Sequence, residues 1–152
     1  FHDRLAQTAR NGSEHDHQEG FDAVLAQFGS LQWTDGELAV VLPRCNGDLI
    51  REGQVLQHCV GGYGTTHAKG VSIILFVRRY RRQERSYYTL NVNFSGPVPE
   101  EIQLHGYGNE RHGDRKQYRH TIPKKVRAFV DRWEQDILLP WWQEQNRRRA
   151  GA

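Results

Sequence analysis

The sequence predicts an α+β fold: a small antiparallel sheet of three or four strands packed against two or three helices. Two observations carry this. β-rich apolar runs at 71–77, 87–94 and 101–105 follow one another through short connections, which is the order of an antiparallel meander. Stripes of helical period bracket them, one over 48–60 and one over 121–139. At 152 residues, 37% of them apolar and 26% charged, the chain has room for one modest core.

Taken in order, residues 1–20 are polar and rich in His, Asp and Gln, the pattern of a helical remnant and a loop. Phe21, Val24, Leu25 and Phe28 recur at i, i+3, i+4 and i+7, a helix that Gly29 ends. Trp33 leads into a short strand over 37–42, stopped by Pro43. Asp48 is placed to cap a helix through Leu49, Ile50, Val55, Leu56 and Cys59, and Gly61-Gly62 is expected to terminate it. A second short helix or turn runs from Tyr63 to Gly70.

The run 71–77 is too apolar to face water on either side and reads as a central strand. In the next, Tyr88, Leu90, Val92 and Phe94 share one face. Glu101–His105 forms the third, with Gln103 and His105 on a common face. Thr121 and Pro123 open the last helix, whose stripe of Val126, Phe129, Val130, Trp133 and Ile137 is expected to cover the sheet before Pro140 kinks or ends it. Residues 1–34 are thus assigned to an N-terminal helical or linker segment and 35–152 to the α+β domain.

The net charge of +3 hides a polarity. Residues 1–77 carry five Lys/Arg against nine Asp/Glu, whereas residues 78–152 carry sixteen against nine. A basic C-terminal half suggests an anionic partner, nucleic acid above all. Arg78, Arg79, Arg81, Arg82 and Arg85 flank Tyr80 in a mixture of cations and an aromatic that suits phosphates and bases, and Arg115, Lys116, Arg119, Lys124 and Lys125 extend the pattern. A membrane span of roughly 18 apolar residues has no counterpart here. Two cysteines make no disulfide framework, so a reducing, cytoplasmic setting is expected. The chain has no Met, and Phe1-His2-Asp3-Arg4 is no signal peptide, so the expectation is a part of a longer protein.

Certain blocks carry a resemblance. The run Arg51–Tyr63 with its His58-Cys59-Val60-Gly61-x-Tyr63 core, then Gly70, Ile73–Arg78, Tyr88-Thr89-Leu90, Ile102-Gln103 and Gly108-Asn109 resembles the PcfJ-like family over about residues 35–135. That resemblance implies a setting on conjugative plasmids, integrative elements and phages, and a position in the C-terminal part of a longer protein. It departs at two positions: Gln57 stands where the family usually has a second His, and Asn91 where an acidic residue is frequent.

Chemistry is sought first at His58-Cys59, where an imidazole beside a thiol can lower its pKa for nucleophilic attack. Neighbours on a helix point apart, and a helix C-terminus disfavours a thiolate, so a buried, inert Cys59 is the competing view. Convergence of His58, Glu52, Arg78, Gln103 and Asn109 would build a polar pocket holding an acid/base, a carboxylate and an anion-binding guanidinium. His58, Cys59 and His67, with Cys45 or His105, supply metal-binding atom types without any zinc-like spacing, so no metal is assigned and the cofactor stays unknown. The leading expectation is a nucleic-acid-associated accessory domain. The alternatives are a His/Cys-dependent enzyme, a toxin or nucleic-acid-modifying activity, with catalytic candidates His58, Cys59, Gln103 and Asn109, and a protein-interaction module using Trp141 and Trp142.

Overall fold

The computed structural model describes residues 17–56, 59–107 and 122–151, with Cys59 described by its backbone alone. Helix α1 spans residues 17–28 and runs through a 3-10 turn, Gly29–Leu31, into β1 (Trp33–Thr34) and β2 (Leu38–Val41). Then come α2 (Asn46–Leu56), a 3-10 turn at Cys59–Tyr63, and α3 (Gly64–Ala68). Strands β3 (Ser72–Arg79), β4 (Tyr88–Asn93) and β5 (Glu100–His105) follow. Helix α4 (Lys124–Trp133), a π-helical turn (Glu134–Leu138) and α5 (Leu139–Ala150) close the chain.

The sheet has five strands in the order β1-β2-β3-β4-β5, every pair antiparallel. The α+β expectation holds with one strand beyond the expected upper count: β1 pairs through only Trp33↔Val40 and Thr34↔Ala39. β3 is central, and Ile73 to Arg78 are buried without a break, as a strand covered on both faces must be.

Alternation divides the strands between two cores. On one face Val40, Ile73, Leu75, Val77, Leu90, Val92 and Leu104 pack under Val24 and Phe28 of α1 and under Val126, Phe129, Val130 and Trp133 of α4. On the other, Ile74 and Phe76 meet Phe21, Leu49 and Val60. α1 thus serves both cores. The Trp133 indole N–H donates to the Leu31 carbonyl at 2.7 Å across 102 positions, and Trp33 stacks on Phe129 at 5.5 Å. Among the described residues ahead of position 35, Phe21, Val24, Phe28, Leu31 and Trp33 thus pack against the sheet and α4.

Two local expectations are corrected. Gly61 and Gly62 do not end α2 in a left-handed conformation; positive φ occurs, among the described residues, at Gly36 and Gly70. Close packing instead demands glycine at Gly64, just beyond them, where a Cβ would run into the side-chain amide oxygen of Asn46. Pro140 also fails to end the last helix. Having no N–H and crowding the carbonyl four residues back, it is accommodated by the π-helical turn, in which the Leu139 N–H reaches the Glu134 carbonyl, and α5 continues to Ala150.

Candidate functional site

Glu52 lies on the second turn of α2, on the stripe that carries Leu49 and Leu56 into the second core. A carboxylate there is tolerable only if its charge and lone pairs are met. Arg78 meets them. It stands on the same sheet face as Ile74 and Phe76, and its two terminal nitrogens donate to the two Glu52 oxygens at 2.9 Å each. The Thr89 hydroxyl adds a third bond to Glu52 at 3.0 Å, and the guanidinium carbon sits 4.4 Å over the Phe76 ring. Only the fork of an arginine makes both parallel bonds, so this position has a shape as well as a charge.

The polar row extends along the sheet. Register sets His105 beside Thr89 and Gln103 beside Asn91, all on the α2 side. His105 is buried and Gln103 half-buried. The Asn91 amide oxygen accepts the Ser72 hydroxyl at 2.6 Å. A cleft of about 280 Å³ reaches Glu52 and Arg78 from outside, between Arg44, Asp48 and Arg51 on one side and Gln83, Glu84 and Ser86 on the other. Of the five residues expected to converge, Glu52, Arg78 and Gln103 share this face; His58 and Asn109 lie outside the described residues. Cys59 does not end α2 but opens the 3-10 turn beyond it.

The basic surface loses Arg78, which turns inward and is neutralised by Glu52. Arg79, Arg81, Arg82 and Arg85 are exposed, and none of them forms an ion pair among the described residues. Arg79, Arg82 and Arg85 converge with Ser86 and Tyr87 around a concavity of about 540 Å³. Lys124 and Lys125 begin α4 on the surface, and Lys125 reaches the Glu37 carboxylate at 3.7 Å. The Glu37 carbonyl accepts the Tyr80 N–H at 2.9 Å, so this glutamate touches both basic segments. Arg115, Lys116 and Arg119 fall outside the described residues. Trp141 and Trp142 are both partly buried, Trp141 against Phe28 at 5.2 Å and Trp142 beside Phe94 at 6.2 Å.

Two titratable groups stand out that the sequence did not single out for an electrostatic role. His67, fully buried against Phe21, takes the Ile74 N–H on Nδ1 at 2.9 Å, and burial lowers its pKa to about 4. Burial also raises Glu134 to about 7, helped by the charges of Glu101 and Asp131 and opposed by Arg127. Thr89 was legible in principle, because alternation from Leu90 places it with Asn91 on the polar face.

A family model described as PcfJ-like protein matches residues 1–122. The uncharacterised protein Lin1253/Lin1744 of Listeria innocua is 42% identical over 62 residues, which make up 40% of this chain and 14% of the relative. The chain therefore aligns with a small part of the curated relative's length. No solved structure matches the chain.

Proposed function

We propose that this chain, which belongs to the PcfJ-like family, is a nucleic-acid-associated accessory domain of a mobile-element protein that binds phosphates through its exposed arginines. One observation carries the reading: Arg79, Arg82 and Arg85, free of carboxylate partners among the described residues, face one concavity at the β3–β4 connection. Arginines in a fold's interior or in surface networks usually have acids beside them; unneutralised ones gathered at one spot raise the local positive potential that an anion senses. Arg81, Lys124 and Lys125 add exposed cations, although Lys125 shares its charge with Glu37. The setting is a cytoplasmic one. No described helix is long and apolar enough to cross a membrane.

Binding of labelled DNA and RNA at about 50 mM salt tests this directly, because phosphate contacts are strongest there and weaken steeply as salt rises. The expected result is binding that falls with salt and is reduced in an Arg79, Arg82, Arg85 triple glutamine variant. Absence of binding at low salt refutes it.

An enzyme is the second reading, favoured by an accessible cleft lined by Glu52 and Arg78, behind which the polar row continues along the sheet through Thr89, His105 and Gln103. In it His58 is the acid/base and Cys59 the nucleophile. Rapid alkylation of Cys59 at neutral pH in the folded chain supports it, and inertness until unfolding removes it.

A further inference from the structure

We infer that the concavity beside Tyr87 accepts an unpaired nucleotide, so that the nucleic acid bound there is single-stranded; the inference rests on the phosphate-binding reading above. Arg79 ends β3 with its guanidinium carbon 4.4 Å over the Tyr87 ring. Tyr87 is half-buried against the main core and is held edge-on by Tyr88 at 4.9 Å. A ring anchored in this way gives the cation above it a fixed flat face to rest on. Arg79 is itself exposed and lines the concavity of about 540 Å³ together with Arg82, Arg85 and Ser86.

A flat, weakly hydrated cation with one face on an aromatic ring has its other face for a second flat partner, and nucleobases stack on guanidinium planes as they do on aromatic rings. In a duplex every base face is covered by its neighbours, so only an unpaired base can complete a Tyr87–Arg79–base stack. The dimensions agree: sites for nucleotide-sized molecules run from roughly 300 to 1,000 Å³, well above what a lone phosphate fills. Arg82 and Arg85 then serve the phosphates on either side of the stacked base.

The loop that carries them is already shaped. The Tyr80 N–H is held by the Glu37 carbonyl at 2.9 Å, the Arg85 N–H by the Arg82 carbonyl at 3.0 Å, and the Gln83 amide donates to the Tyr80 carbonyl at 3.1 Å. Little ordering is left for binding to supply. Glu84, the acid within this segment, lines the other cleft, beside Arg44 and Asp48, and leaves the concavity without a carboxylate.

The test compares the 152-residue chain with its Arg79→Lys variant, which keeps the charge and loses the plane. Affinities for a labelled 20-nucleotide single strand and for the matching duplex are measured at several salt concentrations, after thermal unfolding shows both proteins folded. The wild-type chain is expected to prefer the single strand, and Arg79→Lys to lose roughly tenfold on that strand. Duplex affinity and salt dependence stay nearly unchanged. Equal or tighter duplex binding by the wild-type chain, or an Arg79→Lys loss that is absent or equal on both nucleic acids, overturns the single-strand inference and leaves phosphate binding standing. No binding to either nucleic acid at low salt removes both.

Discussion

Arg78 and Glu52 face each other through two parallel hydrogen bonds of 2.9 Å, their side chains 8% and 0% exposed, and so bind a helix to the central strand through a pair of buried charges. Such a pair adds little net stability over a well-packed apolar pair, because both ions were taken out of water, yet breaking it strands a charge in the interior. Glu52→Gln is therefore expected to destabilise the fold by about 3 to 5 kcal/mol. The double variant Glu52→Leu/Arg78→Met should recover most of that loss. Urea denaturation of Glu52→Leu, Arg78→Met and the double variant measures the coupling; additive losses would show that the two side chains act independently.

His67 ties stability to pH. Because the Ile74 N–H donates to Nδ1, the ring must be neutral with its proton on Nε2, which has no hydrogen-bond partner. Its pKa of about 4 in the folded chain lies below the ordinary 6.5, so the unfolded state takes up the proton first as pH falls. The contribution is complete above about pH 6.5 and is lost on descending toward 4, at about 1.4 kcal/mol per pH unit. His67→Gln keeps an acceptor for Ile74 and should flatten that slope at some cost in stability at neutral pH. Urea midpoints between pH 7.5 and 4 measure it, and parallel slopes in the two proteins would contradict it.

Much of the architecture was legible because the period of the apolar residues changes from helical to alternating wherever the element changes. The packing stripe of α4 and the alternating strand after the central one rest on that periodicity, and the central strand on an apolar run without a polar face. β1 escaped because a strand of two residues has no period. Arg78 fits two readings, the basic surface and the polar pocket with Glu52: six of the next seven residues are charged or aromatic and belong to the surface, but counting by twos from Ile74 through Phe76 puts Arg78 on the buried face. The inward turn of His67 had no such signal, since its helix of five residues is too short to show a stripe. The arginine concavity follows from how the β3–β4 connection folds, which spacing alone does not fix.

Glu134 opposes His67. Arg127 is occupied by two other carboxylates, Glu101 through bonds of 2.9 and 3.0 Å and Asp131 at 2.7 Å. Glu134 is left half-buried among like charges with one oxygen unpartnered, and its pKa rises to about 7. A carboxyl whose folded pKa exceeds the ordinary 4.5 favours the fold fully below 4.5 and loses that effect as pH rises through 7. Glu134→Gln, which cannot ionise, is accordingly expected to melt above the wild-type chain at pH 8, with the gap narrowing toward pH 5. Thermal scans at the two pH values decide it; a gap that is constant or reversed removes the like-charge account.

Gly20 sits where α1 crosses the end of α3, and a Cβ there would come within 2.6 Å of both the Cβ and the carbonyl oxygen of Ala68. Glycine inside a helix ordinarily costs about 1 kcal/mol relative to alanine, so Gly→Ala in an open helix stabilises. At position 20 contact with backbone reverses the sign. One extra methyl must push two helices apart, and overpacking of this kind costs roughly 1 to 3 kcal/mol. Gly29, at the end of the same helix, has nothing within 4 Å of the corresponding point, and Gly29→Ala should be neutral or slightly stabilising. Measured side by side in urea, the two substitutions should move the midpoint in opposite directions or leave only Gly20→Ala destabilised. Equal effects would mean that α1 and α3 do not approach as closely as their backbones indicate.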